Sequence, residues 1–116
     1  MKKFIESFVF AAKGIRLAVS GQRHMKFHLG SAFLVLAIGA WVDLAATDWA
    51  LVLLAIGMVI SAELLNSAVE GLVDLVEPQF HPAAGKVKDI AAGGVLVAAV
   101  CALAIGIIVF IKYLPS

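Results

Sequence analysis

A row of polar side chains interrupts an otherwise apolar stretch of the sequence. Glu63, Asn66, Glu70 and Asp74 follow one another at intervals of three, four and four positions. At about 100° of rotation per residue, this spacing places all of them on one narrow stripe of a helix. We call this stripe the carboxylate row. Acidic side chains are costly inside a bilayer, and those that occur there usually face a bundle interior or a cavity and serve function. We therefore interpret the carboxylate row as the functional site.

The residue types in and around the carboxylate row are suited to phosphoryl transfer. Carboxylate oxygens bind Mg²⁺, which in turn bridges phosphates, and one carboxylate can accept the proton of an attacking hydroxyl. Lys and Arg side chains neutralise phosphate charge. The cations nearest to the row in the predicted arrangement are Lys13, Arg16, Arg23, Lys86 and Lys88. No Walker loop, protein-kinase glycine loop or Rossmann fingerprint occurs in the sequence.

The residues alone leave other interpretations open. Asp74 and Glu77 lie near the predicted membrane surface, where they could be merely solvated, and Asn66 could serve only to join helices by hydrogen bonds. An ion or proton pathway through an oligomer would also need intramembrane carboxylates. Residues 51–62 are almost entirely apolar, so this helix shows no continuous polar path beyond Glu63.

Three apolar stretches must hold the carboxylate row in place. Of the 116 residues, 63% are apolar, which is more than a soluble domain of this length can bury. A helix needs about 20 residues to cross the roughly 30 Å hydrocarbon core of a bilayer. We predict an all-α integral membrane protein of one domain, 1–116, with transmembrane helices at about 28–46, 49–76 and 87–112.

The N-terminal segment has a different character. Its apolar residues follow helical spacing, but Lys13 and Arg16 interrupt them. We predict an amphipathic helix at about 4–20 that lies on the membrane surface with its apolar face down. The alternative is a helix packed against the rest of the protein.

The distribution of basic residues predicts the orientation in the membrane. Six Lys and Arg residues precede the first predicted span, the first link has none, the second link has two, and the C-terminus has one. The positive-inside rule then places the N-terminus and second link in the cytoplasm and the C-terminus outside. The acidic half of the second span faces the side where nucleotides and magnesium are available. The net charge of only +1 argues against a nucleic-acid partner.

Two segments carry a resemblance to a known family. With ELLNSAVEGLVD at 63–74 and GKVKDIAAGGVL at 85–96, the sequence resembles the bacterial diacylglycerol kinase family of small membrane lipid kinases, which includes undecaprenol kinases. Weaker similarity extends over nearly the whole chain, through FAAKGIRLAV at 10–19 and the region around His28. The resemblance implies a homotrimer in the bacterial cytoplasmic membrane, with active sites shared between neighbouring subunits. It also implies transfer of the γ-phosphoryl group of MgATP to the hydroxyl of a lipid alcohol, either undecaprenol or diacylglycerol.

The resemblance further implies separate roles for individual residues. Glu63 resembles the general base near the lipid hydroxyl, Asn66 looks like its polar partner, and Glu70 resembles a magnesium ligand. The positions that match the family's nucleotide site are Gly14, Arg16, Asn66, Asp74, Lys88 and Asp89.

One position departs from the family pattern. The family usually has a second metal-binding Glu just before the first span, and this chain has Gln22 there. An amide oxygen can coordinate magnesium but brings no charge, which should weaken binding. The departure is compatible with a natural variant whose ligand is repositioned, with a substitution introduced at the active site, or with a family member that lacks kinase activity and acts as a lipid phosphatase or binding protein. His24 and His28 lie four residues apart and could substitute as polar groups, although two His without a third ligand are a weak metal signal.

The same segment bears on the identity of the lipid. The QRH sequence beginning at Gln22, the short N-terminus and the His81–Pro82 pair look more like the undecaprenol branch of the family. These features favour undecaprenol over diacylglycerol, but the sequence does not reveal which lipid lies beside Glu63, and both lipid alcohols stay open.

Overall fold

The computed structural model describes residues 1–115, which form four α-helices and a terminal 3-10 turn. The helices are α1 (Lys2–Gly21), α2 (Arg23–Val42), α3 (Ala46–Val76) and α4 (Pro82–Phe110), and the 3-10 turn is Ile111–Tyr113. By length and composition, α2, α3 and α4 with its 3-10 extension can each cross a membrane. The predicted all-α fold with three candidate membrane-spanning helices is therefore confirmed.

The observed helices do not end where the apolar stretches end. The first span was predicted to continue to residue 46, but α2 stops at Val42 because Asp43 adopts a left-handed backbone with φ 59° and its N–H bonds to the Gly39 carbonyl. Helices α2, α3 and α4 begin before the predicted 28, 49 and 87. They extend into the polar flanks because helical hydrogen bonding does not require an apolar environment.

The link between α3 and α4 is encoded by its turn residues. Helix α3 ends at Val76, two residues before Pro78, as expected because the residue preceding a proline is disfavoured in the helical conformation. His81 caps α4, since its Nδ1 accepts a hydrogen bond of 3.1 Å from the Ala83 N–H, and Pro82 occupies the first helical turn. The short link returns α4 antiparallel to α3, and these two helices form the most extensive contact in the protein.

The tightest packing lies at the end of the bundle opposite to the carboxylate row. Leu44, Val52 and Val109 are buried there against one another. Gly39 is also buried, and a Cβ at this position would lie 2.9 Å from Leu44 Cδ1 and 2.9 Å from Trp49 Cη2. The absence of a side chain at Gly39 thus allows the α2–α3 turn and Trp49 to approach α2 closely.

The same end contains a polar cluster, which we call the far-end cluster. Asp48 is only 5% exposed, and both of its carboxylate oxygens are occupied. Lys112 Nζ donates to Oδ1 at 2.7 Å, and the Tyr113 hydroxyl donates to Oδ2 at 2.7 Å. The Ala45 N–H donates to the Tyr113 hydroxyl oxygen at 2.9 Å. The far-end cluster therefore fastens the start of α3 to the end of α4.

Helix α1 contacts α2 and α3 only sparsely and has no buried residue. Its Phe4, Phe8 and Phe10 side chains are exposed. The helix ends at Gly21, and the extended backbone of Gln22 (φ −120°, ψ 120°) separates it from α2. These exposed aromatic residues are compatible with a membrane surface, and the interfacial position of α1 stays a prediction.

Candidate functional site

The deepest member of the carboxylate row is buried next to a histidine. Glu63 is 3% exposed, and its Oε2 lies 3.5 Å from Nε2 of His28 on α2. The His28 side chain is 16% exposed. Because Glu63 lies in the middle of α3, away from either terminus, the helix backbone has no free N–H to offer it. A partner for the Glu63 carboxylate therefore has to come from another helix, as His28 on α2 does.

One turn further along α3, two side-chain oxygens lack partners. Asn66 Oδ1 and Ser67 Oγ are buried, and neither forms a hydrogen bond with any residue in the described range 1–115. Buried polar atoms are normally paired, and an unpaired one calls for an explanation such as a bound ion, a water or a ligand. Both oxygens are therefore candidates to contact a bound group.

Ser67 also borders a groove between α1 and α3. The groove has a volume of about 560 Å³, and Gly14 and Gln22 line it from the N-terminal side. A Cβ at Gly14 would have no atom within 4 Å, so the groove is open at this point. Gly14 and Gln22 thus lie across this groove from Ser67, which follows Asn66 of the carboxylate row in the chain. That these residues form one site stays a prediction.

The outer end of the carboxylate row is joined to α4. Lys88 Nζ donates to Asp74 Oδ1 at 2.6 Å, with 37% and 62% of the two side chains exposed. Glu70 lies one turn before Asp74 on the same face of α3 and is half-buried. A lysine ammonium has three N–H donors, so Lys88 can hold Asp74 and still donate to a phosphate.

Two of the predicted nucleotide-site residues are not joined to the row. Arg16 on α1 and Asp89 on α4 are both exposed. Within residues 1–115, neither one forms a salt bridge or a side-chain hydrogen bond. Their predicted roles at the nucleotide stay predictions.

An apolar groove leads away from the Glu63 region. It has a volume of about 640 Å³ and lies between α2, α3 and α4. His28 and Ser31 contribute its polar groups, and the remaining lining residues are apolar or glycine, including Val52 and Phe110 towards the far end. The groove therefore runs along the bundle from the His28–Glu63 contact, with a shape and polarity suited to a hydrocarbon chain.

The donor atoms of the row are compatible with magnesium. Magnesium is usually held by one or two carboxylates together with substrate phosphates and several waters, rather than by an all-protein cage. The unpaired oxygen of Asn66 and the carboxylate of Glu70 lie one turn apart on α3, and Gln22 borders the adjoining groove. No group of three or more His, Cys, Asp or Glu side chains converges within residues 1–115, and magnesium binding stays a prediction.

Sequence reasoning did not identify the partner of Glu63. The sequence points to His28 only through the family resemblance around it and, with His24, as a possible substitute polar group, whereas the structure places His28 against Glu63 and leaves His24 exposed. The signal that could have identified His28 is its depth. It lies near the start of the predicted first span, at the membrane level of a carboxylate on the next helix.

Comparisons with known sequences identify the relatives of this chain. The sequence model of the family described as prokaryotic diacylglycerol kinase matches residues 9–110. The undecaprenol kinase of Bacillus subtilis is 40% identical over 114 residues, which cover 98% of this chain and 93% of that protein. The diacylglycerol kinase of Synechocystis sp. is 37% identical over 101 residues, or 86% of this chain and 58% of that protein. The diacylglycerol kinase of Escherichia coli K12 is 28% identical over 101 residues, or 87% of this chain and 83% of that protein.

Proposed function

This chain belongs to the prokaryotic diacylglycerol kinase family, and we propose that it is a lipid kinase that moves the γ-phosphoryl group of ATP to the hydroxyl of a membrane lipid alcohol. One observation carries this proposal: the buried carboxylate of Glu63 contacts His28, and His28 lines the apolar groove at the end opposite to the far-end cluster. A lipid chain in the groove would bring its hydroxyl group to the carboxylate. The family match and the named relatives support the same reaction class.

In the proposed reaction, Glu63 acts as general base. Its carboxylate accepts the proton of the lipid hydroxyl as the hydroxyl oxygen forms a bond to the γ-phosphorus. The bond between the γ-phosphorus and the β,γ-bridging oxygen breaks, and ADP leaves with that electron pair. The protonated Glu63 then releases its proton to water, which restores the carboxylate for the next turnover.

The nucleotide is proposed to bind over the outer part of the carboxylate row. Glu70 and Asn66, with Gln22 from the N-terminal side, would hold Mg²⁺, which neutralises phosphate charge when it is bound. Lys88 would donate to a phosphate while it also holds Asp74 at 2.6 Å. The remaining nucleotide contacts are proposed for Gly14, Arg16 and Asp89.

We propose undecaprenol rather than diacylglycerol as the lipid. The undecaprenol kinase of B. subtilis has higher identity and covers more of the chain than the two diacylglycerol kinases described above. The groove beside His28 runs along most of the bundle and is almost wholly apolar. A polyprenyl chain, which carries a single terminal hydroxyl, matches a long groove with polar groups near one end.

The proposed location is the cytoplasmic membrane, with the row facing the cytoplasm. Of the nine Lys and Arg residues, only Lys112 lies at the far end of the bundle, which supports a cytoplasmic N-terminus and an external C-terminus. We also propose that α1 lies in the membrane interface and that the active form is a homotrimer. The unpaired state of Arg16 and Asp89 within the described chain supports a site completed by a neighbouring subunit.

Purified protein in detergent tests the proposal directly. The protein is given radiolabelled ATP and Mg²⁺ with undecaprenol or diacylglycerol, and the labelled lipid phosphate is measured. We expect label in undecaprenol above diacylglycerol, and its loss when Mg²⁺ is chelated. Label in diacylglycerol alone would show that the substrate is diacylglycerol and not undecaprenol. No label with either lipid, in both the natural protein and Gln22→Glu, would overturn the kinase assignment and favour a binding or phosphatase role.

A further inference from the structure

We infer that His28 is a positioning residue for Glu63, donating from Nε2 to one carboxylate oxygen and leaving the other oxygen to accept the proton of the lipid hydroxyl. This inference rests on the proposed function, because it assigns a role within the same reaction. The two helices α2 and α3 contribute one residue each, so the relative placement of these helices would decide whether the base is correctly oriented.

The burial of Glu63 makes the contact important. A carboxylate that is 3% exposed has lost nearly all contact with water, and such a group is costly to bury without a hydrogen-bonding partner. Among the basic groups of residues 1–115, only His28 lies within salt-bridge distance of Glu63, with Nε2 3.5 Å from Oε2. Oε1 forms neither a salt bridge nor a hydrogen bond within that range.

The position of His28 is itself constrained by its neighbours. The ring of Phe27 lies edge-on to the imidazole with their centroids 5.8 Å apart, and His28 is mostly buried at the groove wall. Nε2 is the ring nitrogen that lies 3.5 Å from the carboxylate, so the inferred hydrogen bond requires a hydrogen on Nε2. A restrained ring of this kind fixes the direction from which the carboxylate is held.

The contact also connects Glu63 to the apolar groove. The imidazole lines the groove, and Glu63 lies next to it, 3.5 Å from Nε2. A hydroxyl group at this end of the groove would therefore lie beside the His28–Glu63 pair. The variants below separate a positioning role from simple charge compensation in a helix interface.

The experiment compares His28→Ala, His28→Gln and the control His24→Ala in the lipid kinase assay. His24 lies one turn earlier on α2 and is exposed, so it matches His28 in residue type and helix. We expect His28→Ala to lower kcat about 100-fold, at the lower end of what a positioned acid–base group contributes, while the KM for MgATP changes less than about twofold. His28→Gln keeps an N–H donor and should lose less than about tenfold. His24→Ala should stay within about twofold of the natural protein.

Added imidazole provides a readout that a purely structural role would not give. Imidazole should raise the kcat of His28→Ala at least about tenfold, because it can occupy the space left by the side chain. It should not affect His24→Ala. A His28→Ala protein that retains more than half of the natural kcat would overturn the inference, and so would equal losses for the Ala and Gln variants without imidazole rescue.

The failure of this inference can be separated from failure of the proposed function. If the natural protein phosphorylates lipid and His28→Ala does so equally well, only the role of His28 is wrong. If the natural protein and Gln22→Glu both fail to phosphorylate either lipid, the proposed function and this inference fall together. Should His28→Ala not fold, as judged by its thermal unfolding, His28→Phe takes its place, because it keeps an aromatic ring and has no N–H donor, and a kcat loss below twofold in His28→Phe then overturns the inference.

Discussion

Replacing Glu63 by Gln separates catalysis from stability. The substitution keeps the shape of the side chain and removes its charge at a position that is 3% exposed. Loss of the proton acceptor should lower kcat by about 10²–10⁴-fold, the usual contribution of general base catalysis. Nucleotide binding should be largely retained, because the proposed nucleotide contacts begin at Asn66 and lie further along α3.

Stability should change in the opposite direction from activity. A buried carboxylate whose contact with His28 is as long as 3.5 Å loses its hydration without a short hydrogen bond in return. A neutral amide of the same size carries a smaller desolvation cost, and it can still accept from His28. The thermal midpoint of Glu63→Gln should therefore equal or exceed that of the natural protein.

The assay measures lipid phosphorylation, nucleotide binding and thermal unfolding on one preparation. Glu77→Gln serves as the control, since Glu77 lies after the end of α3 and outside the carboxylate row. It should preserve kcat within about twofold, as surface substitutions usually do. A Glu63→Gln protein that loses both stability and nucleotide binding would refute the reasoning, because Glu63 would then be an element of the helix interface.

The other predictions concern nucleotide binding, metal binding and packing. Lys88→Ala should raise the KM for MgATP at least about tenfold with a smaller effect on lipid affinity, and an unchanged KM would remove Lys88 from the phosphate site. Gln22→Glu should lower the Mg²⁺ concentration needed for half-maximal activity, because it adds a charge beside the proposed metal; a higher requirement would contradict the placement of Gln22. Gly39→Ala should destabilise the protein by about 1–3 kcal/mol through overpacking against Trp49, whereas Gly57→Ala, at an open position, should be neutral or stabilising. Equal thermal midpoints for the two Gly variants would refute the packing argument. Tyr113→Phe should lower the thermal midpoint but leave kcat unchanged, and a loss of kcat would show that the two ends of the bundle are coupled.

The helices could be predicted from the sequence because hydrophobic length and proline position encode them directly. The end of α3 before Pro78 is an example. The predicted first span runs to residue 46, whereas α2 ends at Val42 because the backbone at Asp43 is left-handed. This local geometric feature is not contained in hydropathy.

The site was only partly predictable for a related reason. Helical spacing fixes which residues of α3 share a face, so the carboxylate row followed from the sequence. Contacts between helices depend on axial register, which spacing within one helix does not determine. The pairing of Glu63 with His28 and that of Asp48 with Lys112 are both of this kind, and neither pair was foreseen.

The far-end cluster bears on how the chain enters the bilayer. In the proposed orientation, Lys112 is the one basic residue that must cross the membrane, and unpaired Lys is strongly disfavoured in the bilayer core during insertion. Asp48 meets Lys112 at 2.7 Å, so α3 and α4 can cross together as a helical hairpin whose leading charges neutralise each other. The pair would then act during biosynthesis, before any substrate is bound, by lowering the translocation barrier of the C-terminal helix. Its contribution would appear as membrane-insertion efficiency rather than as turnover.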